Sequence, residues 1–382
     1  MQPRPRILEI IYGNTLGGAE VLLREMLRVA DAGRFEWHLC VLRRGAALRE
    51  YEALAAERPV TLHHVPCGAG LDPLCLLRLT RLMRRLRPDV VHTHLFRADV
   101  HGRWAARRAR VPAVLSTIHV FSSARSRLIR DGLDRITARW ADRIIGCTQT
   151  VTDQEIHRLR LPPGKAITIP NGAPLGRFTA PKDPGPLRRE FGIAPDERVI
   201  GTVGRLNPEK NHADFLRMAR RVLDQRPDVR FVIVGDGQTR ASLERLASDL
   251  RIAGHVVFTG PRSDIPVLMA LFDAFVLSSL WEASPITLLE AMASGVPCIA
   301  ADAGGCRDLV KREETGWLVP PRDPEALAAA VLEVLAGGDH VREIASRARQ
   351  RVLDHHSIEQ FTRAHEALYQ DLLRSASGRS GH

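Results

Sequence analysis

The sequence predicts an α/β protein with two doubly wound domains, each built on a parallel β-sheet. Short apolar runs of strand length alternate with amphipathic stretches, and a proline-rich interruption divides this alternation into two similar halves. A chain of 382 residues is too long for one ordinary core, so two domains, or three, are expected. Its 45% hydrophobic and 26% charged content excludes a disordered, collagen-like or polytopic membrane protein.

The first half contains apolar runs that are short and often rich in β-branched residues, as strands are. They lie at residues 6–11, 37–42, 60–65, 90–95, 113–120, 143–148 and 166–170. Between them, apolar residues recur at helical spacing, which predicts helices at 17–30, 75–87 and 125–141.

The second half repeats the pattern. Its predicted strands are residues 199–204, 230–235, 255–260, 274–279, 297–302 and 316–319, and its helices include 212–225, 240–250 and 286–294. Strands that alternate with helices form parallel sheets covered on both faces.

Five of the 24 prolines fall between residues 171 and 195, where no strand pattern is present. We therefore predict an N-terminal domain at 1–175, a linker at 176–195 and a C-terminal domain at 196–356. A helix at 357–374 is expected to pack back toward the N-terminal domain, and 375–382 is a tail. The two domains are expected to face each other across a cleft, with ligands at the carboxyl ends of the strands.

The sequence predicts a cytoplasmic location. No run approaches the ~18 apolar residues that span a bilayer, and the basic N-terminus lacks the apolar core and cleavage site of a signal peptide. The six cysteines form no C-x-x-C pair, which favours buried free thiols over disulfides or zinc.

The net charge of +11 comes almost entirely from arginine. Such a chain can bind nucleic acid, an anionic membrane or a phosphorylated substrate. Aromatic residues are only 5% and no nucleic-acid-binding motif is present, so we expect no nucleic acid as partner. The predicted helix at 75–87 opposes a leucine face to an arginine face, and residues 125–143 add further arginines. This surface is either an anionic-membrane contact or the solvated face of an ordinary helix.

Several loops after predicted strands carry groups suited to an anionic ligand. Gly17 and Gly18 precede a helix, so amides of its first turn can face a phosphate or a sugar oxygen, although a tight turn also needs glycine. Arg205 and Lys210 flank a proline turn and can clamp a diphosphate, or be solvated loop cations.

Residues 274–305 form the most informative segment. We expect a strand to end at Ser279, Ser284 to be the N-cap and Pro285 the first residue of the next helix. Glu282 then lies in the loop. Glu290 is the one charge on an apolar helix and needs a hydrogen-bonding partner, either the hydroxyls of a ribose or a neighbouring backbone group.

With these motifs the chain resembles the family 4 (group 1) retaining glycosyltransferases, which have the GT-B fold of two Rossmann-like domains. The resemblance rests on GGAE near the start, HTH at 92–94, the loop at His119, PNG at 170–172, GRLNPEKN at 204–211, VGDG at 234–237, E-x7-E at 282–290 and TGWLVPPRDPEALA at 315–328. The chain departs from the pattern at Ala283, Ser284 and Pro285, where many relatives have glycine, and this affects how the donor sugar or acceptor is held.

The resemblance implies transfer of a sugar, with retention, from a UDP- or GDP-linked donor to an acceptor hydroxyl. It implies a glycan or lipid-linked acceptor in cell-envelope polysaccharide, lipopolysaccharide or glycolipid synthesis, at the inner face of the cytoplasmic membrane. No metal or other cofactor is expected; the sequence has no D-x-D motif, and His92 and His94 lack an evident third ligand. The alternatives are a GT-B nucleotide-sugar 2-epimerase and a non-enzymatic nucleic-acid-binding protein.

The resemblance also assigns residues. Arg205 and Lys210 would bind the diphosphate, Glu290 the ribose, Glu282 the transferred sugar as a candidate catalytic group, and His119 the donor sugar. The remaining donor contacts would come from glycines and from backbone amides near the phosphates, sugar and base, at Gly17, Gly18, Gly260, Arg262, Ser284, Pro285, Ile286 and Thr287.

Overall fold

The computed structural model describes residues 3–14, 17–68, 70–119 and 127–379, with the backbone alone at 127–129 and 377–379. The chain divides into two compact units. The first is Met1–Gly172 together with Ile358–His382, and the second is Ala173–Ser357.

The first unit contains a seven-stranded parallel sheet with the strand order β3-β2-β1-β4-β5-β6-β7. The strands are β1 (Arg6–Ile11), β2 (Glu36–Val41), β3 (Val60–His64), β4 (Val90–His94), β5 (Ala113–Ile118), β6 (Arg143–Gly146) and β7 (Ala166–Thr168). The order reverses between β1 and β4, and ligands of doubly wound sheets bind at such a switch point.

The helices of the first unit connect these strands. They are α1 (Gly18–Val29), α2 (Ala46–Glu57), α3 (Pro73–Leu86), α4 (Phe96–Ala109), α5 (Arg127–Ala138) and α6 (Gln149–Leu159), with α16 (Ile358–Arg379) from the end of the chain.

The second unit contains a six-stranded sheet with the order β10-β9-β8-β11-β12-β13, again parallel throughout. The strands are β8 (Arg198–Val203), β9 (Val229–Val234), β10 (Val256–Gly260), β11 (Ala274–Leu277), β12 (Cys298–Ala301) and β13 (Trp317–Val319). Here the order reverses between β8 and β11.

Helices pack against this second sheet. They are α7 (Gly176–Thr179), α8 (Gly185–Glu190), α9 (His212–Leu223), α10 (Arg240–Asp249), α11 (Ile265–Leu271), α12 (Ile286–Ala293), α13 (Cys306–Leu309), α14 (Pro324–Ala336) and α15 (Asp339–His355). Apolar side chains of the sheet and helices form two buried clusters within this unit.

All predicted strands are present, and their ends differ from the predicted ends by three residues or fewer among the described residues. The run at 143–148 shows why they differ. Its strand ends at Gly146 because the Thr148 side chain accepts a hydrogen bond from the Val151 amide and caps α6. The predicted helix at 125–141 begins outside the described residues; its described part is α5.

Residues 176–195 are part of the second unit rather than a separate linker. They form α7 and α8, and their apolar side chains are buried in the core of that unit, at Phe178, Leu187 and Ile193. The segment is therefore folded although its prolines limit it to short helices. Burial of the three apolar side chains stabilises it in place of long regular structure.

The last helix, α16, belongs to the first unit, and its backbone continues to Arg379. The segment predicted as a tail thus includes five helical residues, 375–379. Tyr369 of α16 is fully buried and packs edge-to-face against Phe35 and Trp37. These aromatic contacts tie the end of the chain to its first strands.

All six cysteines are free and buried, as the sequence predicts. Among the described helices, none combines the length and apolar character that crossing a bilayer requires.

Candidate active site

The loops that follow β8 and β11 lie side by side, because these strands are neighbours at the switch point of the second sheet. The Leu280 amide donates to the Glu209 carbonyl at 2.8 Å, and the Ser278 hydroxyl donates to the Asn211 carbonyl at 3.0 Å. One backbone and one side-chain hydrogen bond therefore hold together the two loops that carry Lys210 and Glu282.

Lys210 and Glu282 form an ion pair in this structure. The Lys210 Nζ lies 2.5 Å from the Glu282 Oε1, and the Ser279 hydroxyl donates to the same oxygen at 2.6 Å. Glu282 is buried and Lys210 is largely so. The sequence indicated Lys210 and Glu282 separately, but it predicted neither their ion pair nor the contact of Ser279 with Glu282. The one sequence signal for Ser279 was its place just after the strand β11.

The backbone of Glu282 is held by the glycines that follow β12. The Gly305 amide donates to the Glu282 carbonyl at 2.8 Å. Gly304 has a φ of +58°, and a Cβ at this position would collide with the same carbonyl oxygen. Glycine at 304 therefore permits the close approach that fixes Glu282.

Arg205 is exposed and follows β8. No described residue forms a hydrogen bond or an ion pair with its guanidinium. The backbone beside it is fixed, since the Leu206 amide donates to the Asp236 carbonyl at 2.9 Å. An ordered backbone thus presents a guanidinium that is free to bind an anion.

Helix α12 begins at Ile286, so the prediction of Ser284 as its N-cap was wrong. Pro285 is the N-cap, with a ψ of 106° that is extended rather than helical. The Ser284 hydroxyl is buried and has no hydrogen-bond partner among the described residues. Because proline has no N–H, the amides left to face an anion are those of Ser284, Ile286 and Thr287.

Glu290 is buried on α12, and its partner is a side chain rather than a neighbouring backbone group. The Arg177 guanidinium donates to the Glu290 Oε1 at 3.2 Å, from the segment predicted to be a linker. Burial raises the pKa of Glu290 to about 7, and Arg177 only partly opposes this shift. Within the described chain nothing bonds the Oε2, which leaves it as a free acceptor.

Gly260 and Arg262 follow β10. Gly260 has a φ of +74°, and its carbonyl accepts the Gly235 amide at 2.9 Å. The Arg262 guanidinium is held at 2.6 Å by Glu190 and at 2.6 Å by Asp264, which raises its pKa above the usual range. The Arg262 guanidinium is therefore already paired, and a contact of this loop with the base through backbone atoms stays a prediction.

In the first unit, Gly17 is the N-cap of α1 and Gly18 is its first residue, in the connection that follows β1. The Gly17 amide already donates to the Glu20 carboxylate at 3.1 Å, so a ligand that used this amide would have to displace that bond. The expected contact of this turn with a phosphate or sugar stays a prediction. A side chain added at Gly18 would meet no atom within 4 Å, so this position is open. Thr15 and Leu16 of this loop lie outside the described residues.

His119 follows β5, and its Nε2 lies 3.0 Å from the Nδ1 of His94. The histidine pair of β4 does have a third group nearby, contrary to the sequence analysis, since the Glu9 carboxylate lies beside both rings. Each ring nitrogen is already bonded: His94 to His119 and Glu9, and His92 to Tyr369 and Thr117. The group is a hydrogen-bond network in which metal binding would displace existing bonds.

A second cluster joins Cys67, Cys75 and His101, whose ligand atoms lie within 4.8 Å of one another. The His101 Nδ1 lies 2.8 Å from the Arg97 carbonyl, and its Nε2 accepts the Asp72 amide at 3.1 Å. Because both nitrogens are bonded, the imidazole has no spare lone pair for a metal ion.

Together these features form an end of the second sheet whose chemistry is suited to an anion. The guanidinium of Arg205 is free of partners among the described residues, and Lys210 is paired with Glu282. Three amides lie before or at the start of α12, and the buried Glu290 keeps one acceptor oxygen. Such a set suits a phosphorylated ligand that also carries hydroxyl groups. With two doubly wound parallel-sheet units, it is characteristic of the GT-B glycosyltransferases.

Comparison with known proteins identifies the family. Residues 185–351 match the family described as glycosyl transferases group 1, and residues 16–177 match glycosyltransferase family 4. The chain belongs to this family and is a glycosyltransferase.

Two relatives and one solved structure illustrate the similarity. The chain is 32% identical over 312 residues to the UDP-Gal:alpha-D-GlcNAc-diphosphoundecaprenol alpha-1,3-galactosyltransferase of Escherichia coli, covering 79% of this chain and 80% of that protein. It is 31% identical over 390 residues to a D-inositol 3-phosphate glycosyltransferase of Jonesia denitrificans, covering 92% and 89%. Its fold matches that of Anabaena HepE in complex with UDP, with a TM-score of 0.85, 24% identity and coverage of 96% and 100%.

Proposed function

We propose that this chain transfers a sugar from a uridine diphosphate sugar to an acceptor hydroxyl, with retention of configuration, in the assembly of a cell-envelope glycan. The observation that carries this proposal is the grouping of Lys210, Glu282, Arg205 and the start of α12 at the switch point of the second sheet. The E. coli relative that uses UDP-Gal and a diphosphoundecaprenol-linked substrate supports the choice of donor and acceptor.

The donor diphosphate would be bound by two cations of different character. Arg205 has a free guanidinium, whereas Lys210 is paired with Glu282 and adds less net positive charge. When the bond to the sugar breaks, negative charge grows on the leaving diphosphate. Fixed cations and the amides at the start of α12 would stabilise that charge, because they need no rearrangement during the reaction.

Glu290 would bind the ribose of the nucleotide. Its Oε1 is held by Arg177, which orients the carboxylate, and its Oε2 remains to accept a ribose hydroxyl. A buried acceptor is well suited to this role, because a hydrogen bond from a ribose hydroxyl is stronger in the protein interior than in water.

In the proposed reaction the bond from the anomeric carbon to the diphosphate oxygen breaks, and a bond to the acceptor oxygen forms on the same face. The acceptor proton passes to the leaving phosphate oxygen. Glu282 is a weak nucleophile here because Lys210 and Ser279 bond its Oε1. It would instead orient the sugar and stabilise positive charge at the anomeric carbon. We propose that protein cations replace a metal ion, so that chelators leave the rate unchanged.

A donor screen followed by product analysis tests this proposal. We expect UDP to raise the melting temperature more than GDP does, and one UDP-sugar to be consumed only when a lipid-diphosphate-linked acceptor is present. Nuclear magnetic resonance of the product gives the anomeric configuration, and EDTA tests for a metal. An inverted product, loss of activity in EDTA, or an epimerised nucleotide sugar formed without acceptor would each contradict the corresponding part.

We also propose that the first unit contacts an anionic membrane from the cytoplasm, through α3 and the residues before it. Leu71, Leu74 and Leu77 are exposed by 46%, 59% and 45% although large apolar side chains are usually covered. Exposed arginines continue along the same helix and at its C-cap, at Arg78, Arg81, Arg84, Arg85 and Arg87. Apolar groups beside cations suit the interface of an anionic bilayer better than nucleic acid.

Vesicle flotation tests the membrane contact. We expect the chain to float with vesicles that contain phosphatidylglycerol and not with vesicles of phosphatidylcholine alone. The variant Leu74→Asp with Leu77→Asp should lose flotation, whereas Val29→Asp, at a solvent-exposed position of α1, should keep it. Equal recovery from both vesicle types would refute the contact.

A further inference from the structure

Two cysteines lie together at the start of α3 in the first unit. Cys67 follows β3, and Cys75 is in the first turn of α3. Their Sγ atoms lie within 4.8 Å of each other and of a ring nitrogen of His101. The His101 nitrogens are already bonded to the Arg97 carbonyl and the Asp72 amide, so the imidazole is not free to join the thiols as a metal ligand. The two sulfur atoms are therefore interpreted as a pair of thiols.

The carboxylate of Asp72, the N-cap of α3, fixes the spacing of these cysteines. Its Oδ2 accepts the Gly68 amide at 2.8 Å, and its Oδ1 accepts the Cys75 amide at 3.0 Å. One side chain thus ties the backbone beside Cys67 to the backbone of Cys75. A disulfide bond is about 2 Å long, so the sulfur atoms must approach each other. We expect rotation about their Cα–Cβ bonds to supply this movement while Asp72 keeps the two backbones together.

The two thiols differ in reactivity and in access. A hydrogen bond from the Cys75 thiol lowers the pKa of Cys67 to about 5 although burial opposes this shift, so Cys67 is a thiolate near neutral pH. The same bond and burial raise the pKa of Cys75 above its usual range. Cys67 is 5% exposed and lies between the exposed Pro66 and Gly68, whereas Cys75 is 0% exposed. A small oxidant should therefore react at Cys67 first.

Three other cysteines lack this combination of features. Burial raises the pKa of Cys40 to about 12, and it raises the pKa values of Cys298 and Cys306 above their usual range. Buried thiols that stay protonated are poor nucleophiles. These three cysteines are therefore internal controls for any reaction at Cys67.

We propose that Cys67 and Cys75 form a redox modification site, which closes to a reversible disulfide on exposure to a peroxide. The site lies wholly within the first unit and does not depend on the transfer reaction proposed above. Cys67 is the attacking thiol, Cys75 is the resolving thiol, and Asp72 is the residue that positions them.

The reaction proceeds in two steps. The Cys67 thiolate attacks one oxygen of the peroxide, the O–O bond breaks, and the hydroxide that leaves takes a proton from solvent to become water. Cys67 is then a sulfenic acid. The Cys75 sulfur attacks the Cys67 sulfur, the S–S bond forms, and the sulfenic hydroxyl leaves with the Cys75 proton as a second water. Each sulfur loses one electron, the peroxide gains two, and a dithiol reductant reverses the change.

Mass spectrometry of the folded chain treated with hydrogen peroxide tests the proposal. The chain is unfolded and alkylated after treatment, and both cysteines lie on one tryptic peptide because no lysine or arginine separates them. We expect this peptide to lose the mass of two hydrogen atoms and to take no alkyl group until dithiothreitol restores both thiols. Cys40, Cys298 and Cys306 should stay fully alkylated. Alkylated Cys67 and Cys75, a disulfide between other cysteines, or a sulfinic acid at Cys67 would overturn the proposal.

Two serine variants separate the roles of the thiols. Cys75→Ser keeps a hydrogen-bond donor but removes the second sulfur, so Cys67 should stop at the sulfenic acid, which dimedone traps. In Cys67→Ser, the buried Cys75 should stay a thiol under the same treatment. Circular dichroism shows that each variant is folded. A dimedone adduct on Cys75 in folded Cys67→Ser would contradict the assignment of Cys67 as the attacking thiol.

Asp72→Ala tests whether the carboxylate positions the two sulfur atoms. We expect disulfide closure to slow by about tenfold, seen as a longer-lived sulfenic acid, because the cysteines lose their fixed spacing. Asp323→Ala is the matched control, since Asp323 is also an N-cap followed by proline, and its side chain accepts the Ala326 amide at 2.8 Å in the second unit. It should leave closure unchanged. Equal closure rates in the two variants would contradict the positioning role of Asp72 and the geometry on which the proposal rests.

Discussion

Burial of the Glu290 carboxylate is unfavourable, and the ribose-binding role that we propose for it uses the same carboxylate. A buried carboxylate with one weak ionic partner is unfavourable, which is why its pKa rises to about 7. Arg177, its partner, is half exposed and also lies over the Phe178 ring, so it cannot fully compensate. A ligand hydroxyl at the free oxygen would supply the missing hydrogen bond.

The affinity for a nucleotide sugar should therefore depend on pH. A ribose hydroxyl donates to the ionised carboxylate, so the ligand prefers deprotonated Glu290. Affinity should be complete above pH 7 and fall by up to about tenfold for each pH unit below it. Calorimetric titration with UDP-galactose, whose diphosphate carries no group that titrates near neutrality, measures this. Glu290→Gln should give weaker and pH-independent binding; an equally steep profile in that variant would assign the titration to another group.

The ion pair between Lys210 and Glu282 should contribute to both stability and activity. Lys210→Met leaves Glu282 buried without its cation, and we expect a loss of about 1–3 kcal/mol in the free energy of unfolding together with loss of transfer activity. Adding Glu282→Gln removes the uncompensated charge and should recover most of the stability but none of the activity. Chemical denaturation and the transfer assay measure both. Separate, additive losses of stability would show that the two side chains do not interact.

The sequence singled out Lys210, Glu282 and Glu290 one by one, but it did not predict which side chains contact them. Lys210 and Glu282 are 72 positions apart, and Arg177 and Glu290 are 113 apart. Their contacts depend on which loops the sheet order brings together. Ser279 and Arg177 carried no motif of their own, so only the folded chain reveals that they orient the carboxylates.

At the scale of elements, the alternation of apolar and amphipathic runs predicted each strand found in the described part of the chain. The start of α12 was missed by one residue, because Pro285 was interpreted as a helical residue rather than an extended cap. Proline favours both positions through the same fixed φ. The VGDG motif was visible in the sequence, but the reason for its glycines was not. Only the folded chain shows that a Cβ at Gly235 or Gly237 would collide with a neighbouring backbone.

Gly235→Ala should disturb the site through the backbone. Gly235 follows β9 with a φ of +131°, and a Cβ there would collide with the Gly204 carbonyl beside Arg205. We expect about a 1–3 kcal/mol loss of stability and weaker UDP binding, measured by denaturation and calorimetry. Gly254→Ala is the control, since a Cβ at 254 meets nothing within 4 Å and its φ is not in the left-handed region. Equal effects of the two changes would contradict this account.

At the scale of the whole molecule, each unit has its own parallel sheet, and the first unit is built from two separate parts of the chain. Residues 176–195 pack in the second unit, and α16 returns to the first. We expected α16 to pack toward the first unit, where it lies. The sequence does not place the proline-rich segment, because its scattered single apolar residues give no periodic signal. Their burial depends on grooves that exist only after the sheet has formed.

Removal of α16 should therefore unfold one unit and spare the other. A chain ending at Ser357 keeps the whole second unit and loses the buried side chains of Phe361, His365 and Tyr369 from the first. We expect amide hydrogen exchange to lose protection in β1, β4 and β5 and to keep it in the second sheet. Tyr369→Phe is a milder change, because it removes only the hydroxyl that bonds Glu9 and His92. It should weaken the protection of the first sheet without abolishing it. Loss of protection in both sheets on truncation would contradict this prediction.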